Sequence, residues 1–402
     1  MMKFTLGTSF LLLTYFFYGF YINQYDLSVV PRMLKHDNPQ GFYDYKGVVN
    51  VHTNYSIGSA SPDFVIESAQ LAGLDFVILT DLNPFSTSVP ENYYGNLLLL
   101  SGGKYSYLDS RFLHYSATQN KLGENKGEAQ IKIADALSQA HKEQSDSLMV
   151  MAHPYKLGYQ WTGDLPEGLD GIEILNLKAL STRTWEKSKL SVFWSLLIYP
   201  FNSRLALIRL FEEPKEELDL WNRTLNAGKK LWGFSGAEAS ARALPFPGYP
   251  VQFPSYHRLF EITSVHVILK SELTGNFSAD RQKIYKALKG GNFYFSFDTL
   301  GDPKGFNFSV DDRNRTYIMG EEISFKKDLH LNVKLPAKPH YPFEIRVIKD
   351  GSVIEKLKET QVQYQIKEAG VYRIEVRVRP PWPFPDAERW LPWIYSNPVF
   401  IK

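Results

Sequence analysis

The sequence predicts three parts: an N-terminal transmembrane helix, an α/β domain and a C-terminal all-β, sandwich-like domain. Residues 4–22 carry no charged side chain over nearly the length of about 20 residues that a membrane-spanning helix needs. From residue 47 to 304, short apolar runs alternate with helical stretches, which is typical of a parallel sheet covered by helices. From residue 305 to 402, short strands follow one another, and turn signals such as Asp350-Gly351 separate some of them.

Composition excludes several classes of protein. The chain has 402 residues, of which 44% are hydrophobic and 22% charged, so it can bury a core and is not a disordered chain. The formal net charge of +2 is far from that of a strongly basic nucleic-acid binder, and we expect no nucleic-acid partner. The absence of cysteine excludes disulfides, cysteine-ligated zinc, iron–sulfur clusters and thiol nucleophiles.

The N-terminal segment, residues 1–25, predicts a signal anchor or a signal peptide. Bulky residues end the apolar run and no small-residue cleavage site follows it, which favours an uncleaved anchor over a cleaved signal or a buried soluble helix. The membrane is then the expected partner. Because only Lys3 and the amino terminus precede the run, we expect the rest of the chain outside the cytoplasm, in the periplasm or on the cell surface. Residues 26–46 are a predicted linker.

The α/β domain is predicted from residue 47 to 304. Strands are expected over 47–53, 74–81, 96–103, 147–154, 171–176 and 230–237, and helices over 61–73 and 128–145. In the first of these helices, Ser61 is a typical N-cap and Gly73 a typical C-terminal residue. The apolar insert 190–211 predicts a helical hairpin packed on the domain, and its alternative is a contact with a membrane surface.

Several motifs in this domain resemble the polymerase and histidinol phosphatase (PHP) superfamily of metallophosphoesterases. VVNVHTNYSIGSASPDF opens the domain where the family has His-x-His-Thr and Ser-Asp-Gly. GLDFVILTDLN, SGGK, MAHPYK and GFSGAEAS then follow in the family's order. The resemblance covers about residues 47–300. It implies a distorted (β/α)₇ barrel with metal ligands at the carboxyl ends of the strands, followed by a β domain as in some bacterial PHP proteins.

The sequence departs from the family pattern at most metal-ligand positions. His52 and His153 are retained, and His114 is a possible third ligand, although the alignment could equally place Phe112 there. The replacements are Asn50 for His, Ile57 for Asp, Leu82 for His, Lys104 for Glu, Gly236 for Asp and Glu238 for His. By the resemblance, the remnant site comprises Asn50, His52, Asp81, Lys104, His153 and Glu238, with no catalytic residue identified.

These replacements predict the loss of metal-dependent catalysis. Isoleucine and leucine are not ligands, asparagine is a poor one, and the ammonium of Lys104 repels a cation. Two certain histidines fall short of the three protein ligands that a catalytic zinc normally has. We therefore expect no cofactor or, if any, a divalent metal such as Zn²⁺ or Mn²⁺ at His52, His153 and His114.

Three functions remain open from the sequence. The favoured one is a membrane-tethered PHP-like protein without metal-dependent catalysis that binds a small-molecule or protein ligand through the remnant site. The second is an active phosphoesterase-like hydrolase with a reduced or rearranged metal site. The third is a structural envelope protein in which the β domain acts and the barrel is a spacer. The sequence does not identify a substrate.

The sharpest expectation concerns the charges in the remnant site. Lys104 replaces an acidic ligand and Glu238 replaces a histidine, both at positions that the resemblance places in one centre. An unpaired buried charge is costly in either case. We therefore predict that Lys104 and Glu238 face each other as an ion pair.

Overall fold

A computed structural model describes residues 2–31, 41–85, 91–118, 121–138, 147–242, 253–312 and 314–402, with side chains from residue 7 onward. The chain has a mixed α/β fold whose buried apolar residues form one contiguous core from Ile22 to Ile401. A part of the predicted linker, 32–40, and the end of the helix predicted over 128–145 lie outside the described residues.

The N-terminal segment is a helix, α1 (Met2–Asn23), that packs against the α/β domain. The Tyr15 hydroxyl donates a hydrogen bond to the Leu197 carbonyl at 2.9 Å, and the Asn202 amide donates to the Ile22 carbonyl at 3.0 Å. Within the described part of the chain, no helix is both long enough and apolar enough to cross a bilayer.

The predicted N-terminal transmembrane helix is therefore wrong. The prediction relied on the absence of charge, but threonine, serine, glycine and tyrosine residues are interspersed through α1 and lower its mean hydropathy. The extracytoplasmic location that followed from a membrane span stays a prediction.

The α/β domain alternates strands and helices, with one run of strands in its middle. Its helices are α2 (Pro62–Leu71), α3 (Lys126–Ser138), α4 (Leu177–Lys187), α5 (Lys189–Ile198), α6 (Ser203–Ile208), α7 (Lys215–Asn226), α8 (Tyr256–Phe260) and α9 (Phe277–Lys289). Its strands are β1 (Tyr43–Val51), β2 (Phe76–Leu79), β3 (Asn92–Tyr94), β4 (Leu97–Ser101), β5 (Gly103–Tyr107), β6 (Ser110–Ser116), β7 (Ser147–Ala152), β8 (Gly171–Asn176), β9 (Trp232–Gly236), β10 (Ser264–Leu269) and β11 (Phe293–Ser296). The insert 190–211 forms α6 and most of α5.

Two sheets form the wall of a barrel. One contains β10, β1, β2 and β4 in that order, and the other runs β5-β6-β7-β8-β9. They meet at both edges, because Val51 bridges to Ala239 beyond β9 and Leu82 bridges to Lys104 in β5. Strand β6 is antiparallel to both of its neighbours, so the wall does not follow strict β/α alternation.

The C-terminal part of the chain is all-β and shares a sheet with the barrel. Its strands are β12 (Asn307–Asp311), β13 (Thr316–Ile318), β14 (Glu322–Ile323), β15 (His330–Lys334), β16 (Phe343–Lys349), β17 (Ser352–Leu357), β18 (Gln361–Gln365), β19 (Gly370–Val378), β20 (Leu391–Ser396) and β21 (Val399–Ile401). A four-stranded sheet has the order β13-β12-β15-β18, and the remaining strands belong to the sheet of β1. Strand β20 pairs with β11, so the two parts are joined by backbone hydrogen bonds.

The start of the predicted linker is also part of the folded body. Leu27, Val29 and Val30 are buried. The Val29 N–H donates to the Leu300 carbonyl at 2.6 Å, and the His340 N–H donates to the Val29 carbonyl at 2.7 Å. Strand β1 then begins at Tyr43, before the predicted start at Gly47.

Asn397 should be a strong determinant of stability, because its buried side chain joins the C-terminal strands to the barrel. It accepts from the Gly233 N–H at 2.9 Å and donates to the Gly233 and Phe293 carbonyls at 3.3 and 3.1 Å. We expect Asn397→Ala to lower the free energy of unfolding by about 2–4 kcal/mol in urea titrations, since buried backbone groups lose their partners. The exposed Asn314→Ala is the control, and equal values for the two variants would contradict the prediction.

Candidate functional site

The site lies at the mouth of the barrel, which we define as the end formed by the carboxyl ends of β1, β7, β8 and β9. Three non-glycine residues there have positive φ: Asn50 (59°), His153 (37°) and Glu238 (41°). Such angles are uncommon for residues with a Cβ and recur at functional sites. At Asn50 the register between β1 and β2 also shifts, which marks a local irregularity in the strand.

Lys104 and Glu238 form the predicted ion pair at the centre of the mouth. The Lys104 Nζ lies 3.2 Å from Glu238 Oε1, and the two side chains are only 2% and 3% exposed. Lys156 adds a second ammonium 2.9 Å from the same oxygen. Burial opposes the ionisation of Glu238, but Lys104 and Lys156 hold its pKa well below its usual range. Glu238 is therefore an anion between two cations.

We call Lys104, Lys156 and Glu238 the ion group. Glu173, on β8, lies next to this group and is held by three hydrogen bonds. Its Oε1 accepts from the Asn50 side-chain amide at 2.7 Å, and its Oε2 accepts from the Asn176 amide at 2.7 Å and the His153 N–H at 3.1 Å. Burial raises the pKa of Glu173 to about 7, although the nearby Lys104 acts in the opposite direction. Its carboxylate occupies the space where a Cβ at Gly236 would stand. Glycine at a position where the family has aspartate thus makes room for Glu173.

Two imidazoles in the mouth are left without hydrogen-bond partners. Within the described part of the chain, neither ring nitrogen of His52 is hydrogen-bonded, and the same holds for His153 Nδ1 and Glu238 Oε2. Burial, together with the charge of Lys104, lowers the pKa of both His52 and His153 well below the usual value, so both are neutral at pH 7. Buried polar atoms normally have partners, and these atoms are therefore available to a ligand.

A further lysine contributes to the charge of the mouth. Lys178, near the start of α4, is partly buried, and burial lowers its pKa although Glu238 acts in the opposite direction. With Lys104 and Lys156, three ammonium groups face two carboxylates, and one of these carboxylates has a pKa of about 7. Burial lowers the pKa of Lys104 as well, although Glu238 and Glu173 act in the opposite direction. Three lysine side chains and two carboxylates thus converge on the mouth.

Asp81 belongs to the predicted remnant site, and His114 is the possible third metal ligand. Among the described residues, neither side chain makes a hydrogen bond to Lys104 or Glu238. Asp81 accepts from the Thr53 N–H at 2.8 Å, the Thr53 hydroxyl at 2.7 Å and the Ser56 hydroxyl, and so orders the turn after β1. His114 lies within β6, and burial lowers its pKa to about 4. His114 is thus a buried neutral side chain whose Nδ1 has no hydrogen bond among the described residues.

The mouth does not fit the metal centre that the resemblance implies. Among the described residues, the group of three His, Asp or Glu side chains whose ligand atoms lie within 4.8 Å of one another is His266, Asp298 and Asp302, away from the mouth. His52, His153 and Glu238 form no such group, and two ammonium groups contact Glu238. A cation placed beside Glu238 would be repelled by both.

No protein-family model matches the chain, and no curated protein matches it. A solved structure with a similar fold is a two-domain protein from Bacteroides vulgatus that contains a predicted PHP-like metal-dependent phosphoesterase. It shares 14% sequence identity, with a TM-score of 0.42, and the match covers 90% of this chain and 99% of that one. At this identity and TM-score, the similarity carries no argument about the chemistry or the superfamily of the chain.

The sequence prediction assembled most of the mouth but missed three of its charged residues. Lys104 contacts Asn50 and Glu238 directly. Asn50 and His153 both donate hydrogen bonds to Glu173, and His52 is close enough for Lys104 and Glu238 to influence its pKa. The residues that the sequence assigns to the site do not include Glu173, Lys156 or Lys178. The available signal was their position, because each lies within, or just after, a strand end that carries a motif.

Removing the anion from the ion group should cost more than removing one cation. In Glu238→Gln, two buried ammonium groups lose their partner, and we expect a loss of about 3–5 kcal/mol in the free energy of unfolding. In Lys104→Met, Glu238 keeps Lys156, and the loss should be less than half of that. Urea unfolding of both variants and of the exposed control Lys187→Met tests this. A larger loss in Lys104→Met would refute the arrangement.

The buried Glu173 should make stability depend on pH. Because its pKa is raised from 4.5 to about 7, the folded state binds a proton that the unfolded state has already released in this window. Stability from this group therefore falls as pH rises from about 4.5 to 7, by an amount of order 3 kcal/mol, and is constant above.

The measurement is the pH dependence of the free energy of unfolding in Glu173→Gln. The free energy of unfolding of wild type minus that of Glu173→Gln should decrease as the pH rises from about 4.5 to 7. The same difference for the exposed Glu186→Gln should not change with pH. A constant difference for Glu173→Gln would contradict the prediction.

Proposed function

We propose that this protein is a PHP-like domain without metal-dependent catalysis that binds an anionic ligand at the mouth of its barrel. The observation that carries the proposal is the buried ammonium of Lys104, 3.2 Å from Glu238, at a position where the resemblance expects an acidic metal ligand. A fixed lysine side chain supplies positive charge there without an exchangeable ion.

The charge balance supports an anion as the ligand. Lys104 and Lys156 are already engaged by Glu238, but Lys178 faces the mouth without an ion-pair contact of 4 Å or less among the described residues. Burial disfavours its charged form, so a bound anion would stabilise Lys178 and be stabilised by it. The unpartnered nitrogens of His52 and His153 can donate or accept further hydrogen bonds.

The two other functions are less well supported. A hydrolase with a rearranged metal site would need His52, His153 and Glu238 to converge on one ion, and they do not form a close group of ligand atoms. A purely structural barrel would not need buried, unpartnered imidazoles or positive φ at three residues of the mouth.

Binding of inorganic phosphate to the purified full-length chain tests the proposal. By isothermal titration calorimetry we expect one phosphate per chain, at least tenfold weaker binding in Lys178→Met, and unchanged binding in Lys187→Met on the same helix. We expect no hydrolysis of a phosphomonoester with added Mn²⁺ or Zn²⁺. Metal-stimulated hydrolysis that is lost in His153→Ala would establish the hydrolase instead, and equal binding by the two lysine variants would place the anion elsewhere.

A further inference from the structure

A second buried polar cluster lies at the opposite end of β1 from the mouth. It combines Asp44 and Lys46 of β1 with His266 of β10 and with Asp298 and Asp302, which follow β11. One ligand atom each of His266, Asp298 and Asp302 lies within 4.8 Å of the others. The cluster takes no part in the function proposed for the mouth.

The ring of His266 is held in one orientation. Its Nδ1 lies 2.9 Å from Asp44 Oδ1, and the ring stacks on Tyr294 with 4.6 Å between centroids and 7° between planes. Asp44 also accepts from the Tyr294 hydroxyl at 2.6 Å and the Gly305 N–H at 2.8 Å, which fixes the carboxylate in turn. When Nδ1 donates to Asp44, the lone pair of Nε2 is presented on the other side of the ring.

That second nitrogen of His266 points into the cluster without a partner. The side chain is fully buried, Nε2 makes no hydrogen bond within the described residues, and it lies 3.9 Å from Asp302 Oδ1. A carboxylate that holds one ring nitrogen while the other faces acidic side chains is the arrangement found around metal-binding histidines. His266 is therefore prepared to coordinate a cation.

The position between the carboxylates is held by a lysine. The Lys46 Nζ lies 2.6 Å from Asp298 Oδ2 and 3.0 Å from Asp302 Oδ2. Burial opposes the charged form of His266, but Asp44, Asp302 and Asp298 raise its pKa. Even with a proton on His266, three carboxylates face two cations, Lys46 and the imidazolium, so the cluster retains negative charge that a divalent ion can balance when it replaces that proton. Asp302 is one-third exposed, which gives an ion access from solvent.

We propose that His266, Asp298 and Asp302 form a binding site for a divalent transition-metal ion, and that the ammonium of Lys46 competes with the ion for this site. One imidazole nitrogen and two carboxylate oxygens are the number and type of protein ligands that a Zn²⁺-like ion takes when it keeps a water as its fourth ligand. A bound ion would link β10 to the segment that leads from the barrel to the C-terminal strands.

Titration of the full-length chain with Co²⁺ and Zn²⁺ tests this proposal. We expect one Co²⁺ per chain, with absorption bands of nitrogen and oxygen coordination that Zn²⁺ removes. Asp302→Asn, at a partly exposed position, should weaken binding at least tenfold. Lys46→Met should strengthen it at least tenfold, because the competing cation is gone.

Two control variants distinguish this site from the mouth and from acidic side chains elsewhere on the surface. His153→Ala should bind as wild type does, which shows that the ion is not at the mouth and leaves the proposal for the mouth untouched. Asp312→Asn, which removes an acid paired with Lys326, should also bind normally. Absence of stoichiometric binding by wild type, or binding that Asp302→Asn leaves unchanged, overturns the proposal; Asp302→Asn decides it even if Lys46→Met does not fold.

Discussion

The burial of Glu238 between two lysines is the constraint on which the mouth of this barrel depends. A carboxylate with almost no exposure is tolerable only because Lys104 and Lys156 lie 3.2 and 2.9 Å from it. Lys104 is buried as well, and it needs Glu238 for the same reason. Glu173 and its amide donors then fill the space below, and Gly236 leaves room for them. The replacements at Lys104, Gly236 and Glu238 therefore depend on one another.

Buried charges also need partners at the other end of β1, but there the carboxylates outnumber the ammonium groups. Lys46 is the ammonium that balances two of them. Both clusters use a lysine where a metal protein would place an ion, but they differ in the remaining charge. By our two proposals, the mouth, where three lysines converge, binds an anion, whereas the cluster at His266, where carboxylates outnumber lysines, binds a cation.

The continuous sheet explains how both clusters can be rigid. Strand β11 pairs with β10 on one side and with β20 of the C-terminal part on the other, so the barrel has no free edge there. Asn397 completes this junction by binding backbone groups of β9 and β11. A buried charge keeps its partners only if the backbone around it does not move. The hydrogen bonds of this shared sheet hold the backbone in place.

The sequence by itself determined the mixed α/β pattern, the all-β C-terminal part and four of the residues that meet at the mouth. These follow from local apolar patterns and from motifs at strand ends, which bring Asn50, Lys104, His153 and Glu238 to one place. The pairing of Lys104 with Glu238 was predictable because an isolated buried charge is costly.

Only the tertiary structure decided the rest. Lys156, Lys178 and Glu173 lie within strands or just after them, but tertiary packing decides which strand ends converge and which of these side chains meet. The junction of β11 with β20 joins segments about a hundred residues apart. The uncharged N-terminal segment predicted a transmembrane helix, yet α1 packs against α5 and α6 and does not meet the hydropathy of a membrane span. Local sequence sets what each segment can form, whereas long-range packing sets which charges and which surfaces become neighbours.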